Sequence, residues 1–267
     1  MKNSDSLDSL SAALAYAIGI DAPKFASAAN NDICVYIDKA LCGKKADRIF
    51  MYNPDAIAQW IYEKYSYLFS ELKQRADIEI PFCTVMPSVT PVCFATMYTG
   101  VQPEIHGIKS YTKPVIKTDT IFDALIRSGK RPAIVSTTGD SMSKIFLERN
   151  MDYFIYDTVE QVNAKTAELI KEDAYDFIAV YNGNYDSYMH KFGPESKEAL
   201  EQLSANVSAF ASFFDLIKES WKTHNTLIGF AMDHGCHEID GNCGSHGLDM
   251  DEDLNIVHLF KIINNMN

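Results

Sequence analysis

Three stretches of this chain are apolar without the every-second-residue polarity of a half-solvated strand: Arg48–Asn53, Tyr175–Tyr181 and Thr226–Met232. Strands of that kind belong in a sheet covered on both faces. Shorter β-branched or apolar runs at Ile80–Val85, Pro132–Ser136 and Ile256–Phe260 read as further strands. Helical segments fall between them, over Ala56–Phe69, from Thr90 onward, over Asp119–Gly129 with a glycine stop, over Thr158–Lys171 and over Pro194–Trp221. At the start, Leu7, Leu10 and Leu14 fit helical spacing with Ser6 as a cap, and Ala22–Asp47 reads as a loose stretch. Such alternation predicts an α/β fold with a mainly parallel sheet and helices on both faces. One domain over 1–267, with residues 1–45 as an N-terminal helical extension packed on it, is the simplest division.

Thr90 occupies a chemically exposed position in this scheme. It lies where the Ile80–Val85 strand gives way to a helix, and Pro91 suits the first helical turn, which marks Thr90 as an N-cap. A helix N-terminus attracts anions, so its hydroxyl faces whatever anion binds there.

Acidic and histidine residues follow the other strands. Asp55 comes after the first, Asp186 just after Tyr175–Tyr181, and Asp233-His234-Gly235 closes Thr226–Met232. Ligands of open α/β sheets bind beyond the carboxyl ends of the strands, so these side chains are expected to converge. Asp186 and His190 have the i, i+4 spacing that places both on one helix face, and His246 follows in Gly244-Ser245-His246-Gly247. A mixed carboxylate and imidazole set suits Zn²⁺, with Mn²⁺ as competitor.

That ordered set resembles the alkaline phosphatase superfamily, and within it the type I phosphodiesterase/nucleotide pyrophosphatase branch. The resemblance runs from about Arg48 to Phe260. Thr90 to Gly107 resembles the nucleophile motif with its T-G-x-x-P-x-x-H-G tail. Asp186 to Pro194 resembles the D-x-x-x-H-x-x-G-P motif, and the two later His-Gly motifs resemble the last two of that branch. The resemblance implies an alkaline phosphatase-like three-layer sandwich and two divalent metal ions. One would be held by Asp186, His190 and His246, the other by Asp55, Asp233 and His234, with Thr90 as nucleophile and additional ligand. It implies hydrolysis of a phosphate diester through a phosphothreonine intermediate. Alternatives are a phosphomonoesterase or phosphonate hydrolase on the same metals, and a non-catalytic metal-binding protein on the same scaffold.

The chain departs from the branch at two places. Asn53-Pro54-Asp55-Ala56 lacks the usual D-G, and Cys93 stands where an Asn normally donates to a phosphoryl oxygen. Cys93 is a weak donor, so Lys109, Lys113 and Lys191 become candidates for substrate binding. A sulfatase is excluded because Thr90 and Phe94 replace its Cys or Ser and Arg. A phosphomutase is excluded because the segment from Thr90 to Asp186 is filled by predicted sheet and helices, leaving no room for a cap.

Composition narrows the partners. The net charge is -12, which opposes a nucleic acid polymer but admits a small anionic phosphoester where metal ions supply local positive charge. No apolar run reaches membrane-spanning length, so no membrane partner is expected. Asp5 and Asp8 sit where a signal peptide carries positive charge, and the six cysteines form no C-x-x-C pair. A cytoplasmic location follows as the expectation.

Overall fold

The computed structural model describes residues 1–265. Its strands are β1 (Asp5–Ser6), β2 (Arg48–Pro54), β3 (Ile78–Cys83), β4 (Pro132–Thr137), β5 (Asp152–Tyr156), β6 (Phe177–Asn182), β7 (Thr226–Ala231), β8 (His237–Ile239), β9 (Cys243–Ser245) and β10 (Asn255–Ile263). Eight form one sheet in the order β1-β3-β10-β7-β2-β6-β4-β5, and β8 and β9 pair separately. Within the eight-stranded sheet pairing is parallel except where β10 meets β3 and β7. The carboxyl ends of β2, β3, β4, β6 and β7 therefore share one edge.

Every residue of β6 and β7 is buried, and all of β2 except Arg48. Burial at successive positions requires cover on both faces. On one face Tyr52 packs against Phe210 and Phe213 of helix Lys197–Ser220, with ring centroids 6.1 and 6.0 Å apart. On the other, Phe177 is level with Ile49 in the register and meets Tyr98 of helix Thr90–Thr99 at 6.5 Å. This layered α/β architecture is the one the apolar runs predict.

Helix Thr90–Thr99 is buried along its whole length. Packing rather than propensity holds it, each buried aromatic such as Phe94 contributing about 2 kcal/mol. The Tyr98 hydroxyl donates to Asn53 Oδ1 at 2.8 Å, while Asn53 Nδ2 donates to the Val180 carbonyl at 2.9 Å. The helix that carries Thr90 is thereby tied to the strand that carries Asp55. Gly100 ends it at φ +76°, where a Cβ would stand 2.7 Å from the Ala26 methyl, so a left-handed conformation and a close approach both demand glycine.

Several expectations need correction. The supposed loose stretch Ala22–Asp47 contains helix Asn31–Leu41, capped by the Asn30 side chain on the Ile33 N–H. Ile33, Ile37 and Leu41 are its fully buried stripe. Ala56–Phe69 is not one helix: Ala56 is left-handed, and the segment divides into helix Gln59–Lys64 and a 3₁₀ turn at Ser66–Phe69. The cap of helix Thr90–Thr99 is Val89, so Thr90 is its first helical residue. The last strand is longer than expected because it lies between two partners. Edge strand β5 was missed. Residues 1–45 supply helices and also edge strand β1.

His258 lies fully buried on β10, its ring 4.7 Å from that of Phe82 and its Nε2–H donating to the Met232 carbonyl at 2.6 Å. Burial pushes its pKa down to about 4, against about 6.5 in an unfolded chain. The unfolded state binds more protons between those values. The stability His258 supports is full above pH 6.5 and is lost as pH falls toward 4, by about 3 kcal/mol in all. Urea unfolding of chelator-treated protein across that range is expected to show this loss for the wild type and a correspondingly flatter curve for His258→Phe. Parallel curves would contradict it.

Candidate active site

The shared strand edge gathers the seven side chains that the motifs single out. Asp55 follows β2, Thr90 opens the helix after β3, Asp186 follows β6, and Asp233 and His234 follow β7. His190 lies one turn beyond Asp186 on helix Asn184–Phe192, and His246 comes just after β9.

Two triads result, Asp186–His190–His246 and Asp55–Asp233–His234, with the ligand atoms of each within 4.8 Å of one another. In the first, Asp186 Oδ1 lies 3.3 Å from His190 Nε2 and 3.4 Å from His246 Nε2, and the two ring nitrogens are 3.1 Å apart. In the second, His234 Nε2 is 3.3 Å from both Asp55 Oδ1 and Asp233 Oδ2. The rings of His234 and His246 stack at 4.1 Å, so the triads adjoin. Thr90 Oγ1 stands 3.3 Å from Asp55 Oδ2 and from His234 Nε2.

Backbone carbonyls orient the imidazoles. The Nδ1–H of His190 donates to Gly244 O at 2.9 Å, that of His246 to Ser88 O at 2.9 Å and that of His234 to Gly235 O at 3.0 Å. With Nδ1 protonated, each ring in its neutral form would present the Nε2 lone pair to the pocket, the tautomer a metal ligand needs. Without metal, hydrogen bonding to Asp186 raises His190 to about 9 and, against burial, also raises His246. Gly235 permits close packing behind His234, since a Cβ there would stand 2.0 Å from Glu252 O.

The carboxylates fit cations for a second reason. Asp55 and Asp233 are fully buried, and burial together with neighbouring carboxylates raises both pKa values. For Asp186, burial opposes ionisation, but hydrogen bonds and charge from His190 and His246 win and hold it below the ordinary carboxylate range. Burial, with the nearby His246, pushes His234 well down, so it does not serve as the counter-charge. Asp233 Oδ2 is buried without a hydrogen bond, and buried Asp186 Oδ1 has only the two imidazole nitrogens at 3.3 and 3.4 Å beside it. Buried charge of this kind is tolerable when a cation neutralises it. The donor set and its open lone pairs fit two divalent ions.

The departure at Ala56 has a structural explanation. Ala56 adopts φ +61°, a region that favours glycine, and its N–H donates to Asp233 Oδ1 at 3.1 Å. The chain makes the turn that a D-G would make, with alanine, and delivers Asp55 to the pocket. Tyr181 secures the same carboxylate by donating from its hydroxyl to Asp55 Oδ2. Sequence reasoning had only the position of Tyr181 near a strand end as a signal for it.

The other candidates separate. Cys93 is wholly buried, and burial raises its thiol pKa, partly offset by hydrogen bonding with Thr84 and the Val85 backbone. Lys109 and Lys191 are exposed, and the Lys191 ammonium lies 4.8 Å from the Phe192 ring centre. Lys113 instead lines a cavity beside Asp186. His106 pins the loop after helix Thr90–Thr99, accepting from the Ile108 N–H and contacting Thr96 Oγ1 at 3.0 Å. His237 is paired with Asp253 at 2.7 Å and His224 with Asp173 at 2.8 Å.

The sheet and the ordered motifs along its edge define an alkaline phosphatase-like protein. The chain belongs to the type I phosphodiesterase/nucleotide pyrophosphatase family, whose model matches residues 116–264, more than half of its length. The matched segment holds Asp186, His190, Asp233, His234 and His246, while Asp55 and Thr90 lie before it. No curated protein matches the chain. Among solved structures it is similar to murine ectonucleotide pyrophosphatase/phosphodiesterase 5, with TM-score 0.58, 17% identity, and coverage of 73% of this chain and 58% of that one. An inactive form of that enzyme in complex with AMP gives 0.56, 15%, 73% and 59%. Phosphonoacetate hydrolase from Sinorhizobium meliloti in complex with phosphonoacetate gives 0.55, 18%, 75% and 61%. At these identities the likeness is one of fold, and the chain covers less than two thirds of each neighbour.

Asp233→Asn retains the acceptor for the Ala56 and His234 N–H groups but removes a buried charge. It is expected to stabilise the metal-free protein at pH 8 by about 1–3 kcal/mol, and to abolish most of the melting-temperature gain that Zn²⁺ or Mn²⁺ gives the wild type. Thermal melts with and without metal check this. A metal-free variant less stable than the wild type would contradict it.

Proposed function

We propose that this chain is a two-metal phosphoester hydrolase that acts on small phosphate diesters, with Thr90 as nucleophile. The observation that carries the reading is the place of Thr90 Oγ1, 3.3 Å from one member of each chemical type in the second triad, Asp55 and His234. Divalent ions held by the two triads would lower the pKa of that hydroxyl and offset charge on the phosphoryl oxygens.

The chain's own residues do the rest. Asp55 accepts the hydrogen bond of the Thr90 hydroxyl, and Tyr181 holds Asp55 in place. Thr90 Oγ1 forms a bond to phosphorus as the bond to the departing ester oxygen breaks, giving phosphothreonine. The proton lost by Thr90 balances the one gained by the departing alcohol. Water then cleaves phosphothreonine, releases a phosphomonoester and restores the hydroxyl. The start of helix Thr90–Thr99 offers partial positive charge to the bound anion.

The ligand chemistry favours Zn²⁺ over Mn²⁺, since histidine and carboxylate share each triad. All six cysteines are free thiols, which supports a reducing, cytoplasmic setting. Among the described residues, no helix is long and apolar enough to cross a membrane. A phosphonate hydrolase remains the second reading, favoured by the structural neighbour that carries phosphonoacetate.

Turnover of bis(p-nitrophenyl) phosphate, p-nitrophenyl phosphate and phosphonoacetate separates these readings, the diester being expected fastest. Thr90→Ala is expected to lower kcat for the diester by about 10³-fold or more while bound metal, measured by atomic emission, stays near the wild-type amount. Wild-type turnover in that variant would remove Thr90 as nucleophile, and monoester turnover above diester turnover would overturn the substrate assignment.

A further inference from the structure

Asp253 is wholly buried, yet it belongs to neither triad and has no part in the hydrolytic steps above. It lies on the short helix Asp251–Leu254 that precedes β10. A buried carboxylate is costly unless donors meet its oxygens. Both oxygens are met here, and both donors lie close in the chain to a triad histidine.

Oδ1 of Asp253 lies 2.7 Å from His237 Nδ1, and Oδ2 accepts from the Leu248 N–H at 2.8 Å. His237 opens β8 and is level with Ser245 of β9, the residue before His246. Leu248 follows His246 by two residues. One carboxylate therefore grips the hairpin where it begins and just after it ends. Between the two grips lie two parts of the first triad's support. One is His246 itself. The other is the Gly244 carbonyl, which accepts from His190 Nδ1–H at 2.9 Å. β8 and β9 pair with each other and not with the central sheet, so that sheet does not set their height.

The segment that carries Asp253 is also fixed to the second triad, through its main chain. The Asp253 carbonyl accepts from the Gly235 N–H at 2.8 Å, and the Gly235 carbonyl in turn accepts from His234 Nδ1–H. The Leu254 carbonyl accepts from the Thr84 N–H at 2.8 Å, and Thr84 Oγ1 donates to the Asp233 carbonyl at 2.7 Å. Residues 253 and 254 thus hold the Asp233–His234 turn by backbone, and the hairpin by the Asp253 side chain.

We infer that Asp253 is a positioning residue for metal capture: its carboxylate clasps both ends of the β8–β9 hairpin and so sets the Asp186–His190–His246 triad against the Asp55–Asp233–His234 triad. Partners that orient metal ligands contribute about 10–100-fold in metal affinity. The inference rests on the reading that each triad holds a divalent ion. Because only the side chain reaches the hairpin, loss of the carboxylate falls on one ion and spares the other.

Calorimetric titration of the metal-free full chain with Zn²⁺ tests this. The wild type is expected to take up two ions, and His190→Ala, which removes a ligand, identifies the one at the first triad. Asp253→Asn keeps the shape and the backbone bonds but cannot accept from both donors. It is expected to weaken the first-triad ion by about tenfold or more, while the second ion keeps its wild-type affinity. Asp173→Asn breaks a similar contact with His224 at the far end of β2, beside Arg48, and is expected to leave both ions unchanged. Should Asp253→Asn fail to fold, His237→Gln, which keeps the Leu248 grip, is expected to weaken the same ion severalfold. Unchanged affinity for the first-triad ion, equal weakening of both ions, or the same loss in Asp173→Asn overturns the inference and leaves the metal reading intact. A wild type that takes up fewer than two ions overturns the two-metal reading itself, and the inference with it.

Discussion

Two aspartates held out of water, with a third only partly exposed beside them, set the terms for this molecule. Asp55 and Asp233 are 1% and 0% exposed, and Asp186 sits beside them in the same pocket. A protein core of aliphatic and aromatic residues gains nothing from such a cluster, and desolvation of each charge costs several kcal/mol without a partner. Without metal, His190, raised to about 9 by its hydrogen bond with Asp186, and His246, also raised, offset Asp186, but His234 is buried where charge is disfavoured and offers Asp55 and Asp233 no counter-charge. Divalent cations held by the two triads would resolve the conflict. The stability of the fold and the chemistry of its edge are therefore one electrostatic problem.

The sheet converts that requirement into a geometry. Parallel β2, β6 and β7 deliver three acidic loops to a single edge, and β3, pointing the same way across β10, delivers Thr90. Rigidity comes from beneath. Tyr98 and Asn53 join helix Thr90–Thr99 to β2, and Asn182 donates to the Tyr52 hydroxyl at 2.9 Å, which in turn donates to Asn206 on the long helix. These buried, satisfied groups fix the relative height of Asp55, Thr90 and the β6 loop to within what hydrogen-bond lengths allow.

Much of this was legible in the sequence, and the reason is periodicity. Strands such as Phe177–Asn182 and Thr226–Ala231 show no polar alternation and are buried at every position, and only a doubly covered sheet accepts that pattern. The convergence of the candidate site residues was legible because most of them follow a strand at short spacing. What escaped was set by tertiary context. Helix Asn31–Leu41 has only three buried apolar positions in a polar stretch. Edge strand β5 is no more than partly buried, so its pattern is weak. The left-handed Ala56 violates a local preference, and its N–H to Asp233 bond, which accompanies it, joins residues far apart in the chain. Cys93 read as a gap in the substrate pocket, yet it is wholly buried. The Asp253 carboxylate joins His237 and Leu248 across the β8–β9 hairpin, a contact that no single motif encodes.

Anomalous diffraction from crystals grown with Zn²⁺ addresses the central claim most directly. It is expected to show two peaks about 4 Å apart, one among Asp186, His190 and His246 and the other among Asp55, Asp233 and His234, with Thr90 Oγ1 against the second. A single peak, or density away from both triads, would contradict the account.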